Sequence, residues 1–145
     1  MPITRVVARP LLASVFAVGG LDAVLHPETD SPGIATFTDQ LARHVSLGPH
    51  DARRMVKVNG MVQVGAATLI SLGRFRRVAA LALIASIIPT TYAGHRFWEE
   101  PDELSRRLQL MHFLRNAGLV GGLLLEAFDT EGRPSLAWRA KQKLA

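Results

Sequence analysis

The chain has 145 residues, 17 Lys/Arg against 12 Asp/Glu, a formal net charge of +5 and no cysteine. That length suits one domain, and the missing cysteine excludes disulfides, thiolate metal ligands, iron–sulfur clusters and thiol redox chemistry by this chain alone. A hydrophobic share of 48% excludes a disordered chain, whereas the pI near 10.7 leaves nucleic-acid binding open until the charges are placed.

Four apolar stretches follow one another: about 6–25, 55–73, 78–95 and 108–128. At roughly 1.5 Å per helical residue, each approaches the ~30 Å thickness of a bilayer's hydrocarbon core. The first begins after Arg5 and Arg9 and resembles a signal peptide. No small-residue cleavage site follows it, since Asp22-Ala23-Val24-Leu25-His26-Pro27 is a poor match, so it reads as a retained anchor.

Residues 27–54 are too long for a simple turn. Ser31-Pro32 is a good helix start, Ile34, Phe37, Leu41 and Val45 repeat at helical spacing, and Gly48-Pro49 stops the run. The expectation is a short amphipathic helix, either on the membrane surface or packed on the bundle.

The second and third stretches are free of charge over Val58–Gly73 and Val78–Gly94, and Arg74-Phe75-Arg76-Arg77 joins them. Pro89 sits inside the third, where it frees a carbonyl four residues upstream for the following threonines to help satisfy. The fourth carries Arg115 and Glu126.

No charge-free run reaches 18 residues, so a soluble four-helix bundle is the competing reading. Three features favour the membrane. Leu81–Ile88 is apolar nearly all round. Glycines at 19, 20, 60, 65, 118, 121 and 122 sit inside helical patterns. The charges are also sorted. If four spans alternate, the N-terminus, the Arg74–Arg77 turn and the tail share one side with a charge of +7, and the opposite side carries −2. Lys/Arg excess marks the cytoplasmic side. The expectation is an all-α membrane protein: residues 1–128 form a four-transmembrane-helix bundle with both termini cytoplasmic in a bacterial plasma membrane. Residues 129–145 form a basic cytoplasmic tail. Charge placed this way removes the nucleic-acid reading.

Alternating the span directions brings polar residues of all four helices to the outer half. Asp22 and His26 come from the first span, Asn59 and Gln63 from the second. Thr91 and His95 come from the third, and His112, Arg115 and Asn116 from the fourth. A charge buried in lipid is costly, so Asp22 and Arg115 are expected to face inward as partners, with the amides and histidines completing a hydrogen-bonded network. The functional reading is a polar pocket for a quinone headgroup, a small anion or a proton path. The structural reading is polar glue between helices. His95 and His112 lack further ligands at metal-site spacing, and no catalytic triad or phosphate loop occurs, so neither metal nor catalytic residues are assigned. Gly118-x-x-x-Gly122 is compatible with a homo-oligomer or with packing inside one chain.

The runs Asn59-Gly60-Met61-Val62-Gln63, Ile88-Pro89-Thr90-Thr91, Ala93-Gly94-His95-Arg96-Phe97-Trp98 and Gln109-Leu110-Met111-His112-Phe113-Leu114-Arg115-Asn116 resemble DoxX-like membrane proteins. So does Gly121-Gly122-Leu123-Leu124-Leu125, and Asp129-Thr130-Glu131-Gly132-Arg133-Pro134-Ser135 looks like the tail of actinobacterial members. Arg115 stands where many members have lysine, and the charge is retained. The resemblance covers nearly the whole chain and implies a four-span inner-membrane protein. The family takes its name from a subunit associated with thiosulfate:quinone oxidoreduction. A cysteine-free chain has no covalent sulfur carrier. The implied role is therefore a non-covalent subunit of a membrane redox assembly, which presents a quinone or small anion near Arg115 or recruits soluble redox enzymes. Two alternatives stand beside it. One is a noncatalytic scaffold docking partners or anionic lipid through the basic tail; the other is a small transporter or proton path.

Overall fold

Capping chemistry sets the start of the last helix and the end of the second, whereas the first and last helices end with their apolar stretches. A computed structural model describes residues 2–27, 49–130 and 142, and among these it contains four helices and no strand. They are α1 (Pro2–Leu25), α2 (Pro49–Ser71), α3 (Arg76–Gly94) and α4 (Glu103–Phe128). The expected amphipathic helix of the first loop and all but residue 142 of the basic stretch from 131 onward lie outside the described residues.

Each helix reaches beyond its apolar stretch at the N-terminal end. Pro49 opens α2, where a missing N–H costs nothing. Asp102 caps α4: its Oδ2 accepts the Ser105 N–H at 2.8 Å, and Glu103 adds negative charge in the first turn. The end of α2 is a Schellman turn. Gly73 adopts a φ of +69°, its N–H bonds to the Ile70 carbonyl at 2.9 Å, and the Arg74 N–H bonds to the Leu69 carbonyl at 2.9 Å. Phe75 is also left-handed, with a φ of 48°. The chain thus reverses between α2 and α3 in four residues, and these helices run antiparallel. This end of the bundle is called the turn end below, and the end with the α3–α4 loop the loop end.

Pro89 is inside α3, which continues to Gly94. The threonines behave differently from expectation. Thr90 Oγ1 donates to the Ser86 and Ile87 carbonyls (3.2 and 2.9 Å) and Thr91 Oγ1 to the Ile87 carbonyl at 2.7 Å, so neither reaches the Ala85 carbonyl four residues before the proline. A threonine hydroxyl returns three or four residues along its own helix, which from 90 and 91 stops short of 85.

The apolar core lies toward the turn end. Ala13 and Phe16 of α1 meet Ala66, Ala67 and Ile70 of α2, Ala79, Ala80, Leu83 and Ile87 of α3, and Leu123 and Ala127 of α4. Six of these eleven are alanines, which let backbones approach. Toward the loop end α1 and α2 cross glycine on glycine. A Cβ on Gly20 would stand 2.7 Å from the Gly60 carbonyl oxygen, and one on Gly60 would stand 2.6 Å from the Gly20 oxygen. Only glycine fits either position. Gly122 also serves packing inside the chain, since a Cβ there would meet Leu12 of α1 at 3.2 Å. Gly118 and Gly121 have open space beside them.

Candidate functional site

The polar residues predicted to converge are sorted by the helices into separate groups. Ser86 of α3 joins the two amides of α2. Its hydroxyl donates to Asn59 Oδ1 at 2.8 Å and accepts from Gln63 Nε2 at 2.8 Å. Between α3 and α4, Asn116 Nδ2 donates to Thr91 Oγ1 at 3.0 Å, with both residues buried. One turn nearer the loop end, the His95 and His112 rings stack with centroids 5.1 Å apart and planes within 19°. His95 Nδ1 lies 2.7 Å from Gln109 Oε1.

Asp22 and His26 stand apart from these. They pair with each other along α1 at 3.1 Å, and both side chains are 65% exposed. The expected Asp22–Arg115 partnership is not formed: Arg115 is exposed on α4. On a helical projection Arg115 shares the α1-facing side with Gly122 and Glu126, whereas Asp22 lies well round α1 from Leu12, which touches Gly122. Equal depth therefore does not make them neighbours.

Sequence reasoning missed Ser86 and Gln109. Ser86 sits within the most apolar run of the chain, and its level opposite Asn59 was the available signal. A larger omission is a set of charges at the turn end. Arg9 Nε is 3.0 Å from Glu126 Oε1, and Arg76 Nη1 is 3.4 Å from the same oxygen. Arg5 grips both oxygens of Asp129 at 2.9 and 3.2 Å, and Arg9 and Arg76 stand 3.9 and 3.7 Å from Asp129 Oδ2. Arg9, Arg76 and Glu126 are only 11–16% exposed in their side chains. Helix direction alone places residues 9, 76 and 126 at one level.

Beside the Asn116–Thr91 pair, a groove of about 310 Å³ runs between α3 and α4. It is lined by Ile88, Thr91, Tyr92, Phe113, Asn116, Ala117 and Val120. Tyr92 and Phe113 belong to an aromatic cluster at its loop end. Trp98 lies 5.7 Å from Tyr92, Phe97 lies 5.5 Å from Phe113, and the Arg96 guanidinium stands 5.6 Å over the Tyr92 ring. The groove is thus apolar on its walls, with one hydroxyl–amide pair and a phenol as its polar groups. That is the usual make-up of a site for a mostly apolar small molecule. Among the described residues, no lysine or arginine lines it.

The surface completes the picture. Leu11, Val18, Leu81, Leu114 and Leu125 are among many large apolar side chains held outward on the helices, while Ser86, Thr91 and Asn116 are buried. Among the described helices, Ile3–Leu25 is long and apolar enough to cross a bilayer by length and composition. A helical bundle with an apolar exterior and buried hydroxyl and amide groups has the character of a membrane protein. The chain belongs to the DoxX family, whose model matches residues 4–96. It is also 25% identical over 135 residues to the inner membrane protein YphA of Escherichia coli (strain K12), covering 93% of this chain and 89% of that one. No solved structure matches the chain significantly. The chain is accordingly a DoxX-family membrane protein.

Proposed function

We propose that the chain crosses the bacterial inner membrane four times with both termini cytoplasmic, and that the α3–α4 groove holds a quinone headgroup in a membrane redox assembly. In this arrangement the turn end is cytoplasmic and the groove opens in the outer half of the bilayer. Four helices of 24, 23, 19 and 26 residues have the length for this, at about 1.5 Å per residue. The outward Leu, Val and Ile side chains then meet lipid, and the arginines of the turn meet the cytoplasm.

The observation that carries the quinone reading is the lining of the groove. A quinone is a flat apolar ring with two carbonyl acceptors. Asn116 has a second amide proton beyond the one given to Thr91, and the Tyr92 hydroxyl can donate. Aromatic walls at Phe113 and Tyr92 suit a planar ring. A small anion is served less well, because among the described residues no cation lines the groove and Arg115 is outside it.

Tryptophan emission tests this reading, since Trp98 packs on Tyr92 and Phe113. A short-chain quinone added to the protein in nanodiscs is expected to quench emission saturably. Asn116→Leu is expected to weaken binding about tenfold, the loss of one or two hydrogen bonds at ~1 kcal/mol each. Equal quenching of wild type and variant would sink the assignment.

A further inference from the structure

The α2–α3 turn has a composition that packing inside the bundle does not use up. Of its three arginines, Arg76 is turned inward onto Glu126 and Asp129. Arg74 and Arg77 are exposed, three residues apart. The acids described at this end, Glu126 and Asp129, are already held by Arg5, Arg9 and Arg76. Five arginines against two carboxylates leave a strong positive excess among the described residues at the turn end.

Apolar side chains alternate with these arginines. Leu72, Phe75 and Val78 are 67, 72 and 69% exposed. Phe75 holds a left-handed backbone (φ 48°, ψ 31°), which a bulky side chain adopts only against a steric cost. In return the ring stands outside the bundle between the two free arginines in sequence. The Schellman turn fixes this presentation, and the Arg9 guanidinium packs 3.2 Å from where a Gly73 Cβ would be. Arginine heads among exposed apolar side chains suit the boundary between headgroups and acyl chains.

We propose that this turn binds an anionic phospholipid of the adjoining leaflet, its phosphate taken by Arg74 and Arg77 and its acyl chains lying against Leu72, Phe75 and Val78. The guanidinium fork matches a phosphate, and the apolar collar recognises the chain attached to it. A free phosphate would use only the first of these features and a soluble acidic protein would leave the second in water, so lipid is the occupant that fits both. The assignment rests on the four-pass reading, which places this turn at the cytoplasmic surface.

The test exchanges the purified full chain into nanodiscs of mixed phosphatidylglycerol and phosphatidylcholine, then reads retained lipid by native mass spectrometry. Wild type is expected to retain phosphatidylglycerol selectively. Arg74→Gln with Arg77→Gln is expected to cut that selectivity roughly thirtyfold, and either alone about fivefold, from about 1 kcal/mol per arginine. The single variants serve if the double one fails to assemble. Arg106→Gln, exposed at the loop end, is the control expected to change nothing. Unchanged selectivity in the Arg74 and Arg77 variants overturns the proposal. Displacement of the lipid by added inorganic phosphate also overturns it, by marking a free-anion site. Topology is read separately: Arg74→Cys in this cysteine-free chain should react with an impermeant maleimide in inside-out vesicles and be protected in intact cells. Labelling in intact cells overturns the orientation whatever the lipid result.

Discussion

The two ends of the bundle solve the same problem with different chemistry. At the turn end, arginines of α1 and α3 hold Glu126 of α4 and Asp129 just beyond it, around an alanine-rich core. Toward the loop end, glycine packing brings α1 against α2, and neutral groups (Asn59, Gln63, Ser86, Thr91, Asn116) join α2, α3 and α4. Under the proposed four-pass arrangement, the ions sit where helix ends meet headgroups and water, and the neutral hydrogen bonds sit where ions would be expensive. The groove between α3 and α4 belongs to the neutral end, and a wider, more open hollow lined by Leu124, Leu125, Phe128 and Asp129 lies at the turn end. An amide satisfied on one side, such as Asn116, still has a donor to offer a molecule in the groove.

The contrast predicts a ranking of damage. Gly60→Leu drives a side chain into the Gly20 backbone, so it should abolish assembly or cost more than about 3 kcal/mol, read as loss of monodisperse protein on size exclusion. Glu126→Leu should cost about 2–4 kcal/mol in thermal unfolding, because Arg9 and Arg76 lose their shared oxygen while mostly covered. A cost below that of Ser86→Ala would erase the distinction between the ends. Ser86→Ala itself should cost about 1–2 kcal/mol, leaving Asn59 and Gln63 without their common partner.

The smallest effect sharpens the boundary of the loop end. The Asp102 carboxyl is held below its usual range by the Ser105 backbone N–H first and the Ser105 hydroxyl second. A lowered folded pKa means that its contribution is full at neutral pH and fades as pH falls through the lowered value. Protection of the Ser105 amide, measured against its intrinsic exchange rate at each pH, should therefore fall in acid. Asp102→Asn, which still caps, should remove that dependence; an unchanged acid response in that variant would deny the cap its role.

Much of this was legible in the sequence. Four apolar stretches became four helices, and reversing alternate ones brought Thr91 level with Asn116 and His95 level with His112. Depth follows from a rise per residue and a direction, both of which the sequence carries. Direction around the axis was less secure. Arg115 and Asp22 share a depth, yet they occupy faces that do not meet. Pairing opposite charges also drew attention to that couple and away from Arg9, Arg76 and Glu126, whose levels agree equally well. Ser86 was hidden by its surroundings, because one serine in an apolar helix has no pattern to announce it. Its role comes from the α2 amides it meets, and contacts between helices are not written in either helix alone. The Gly118-x-x-x-Gly122 pattern divided in the same way, with Gly122 against Leu12 and Gly118 facing open space.

The central claim is that the neutral end holds a quinone between α3 and α4. The direct measurement is photocrosslinking of a short-chain azidoquinone to the protein in nanodiscs, with the adduct mapped by peptide mass spectrometry. The account predicts adducts on Tyr92, Phe113 or Ala117, competed by unmodified quinone and lost in Asn116→Leu. Competable adducts confined to the turn end, or labelling of the groove that Asn116→Leu leaves intact, would contradict it.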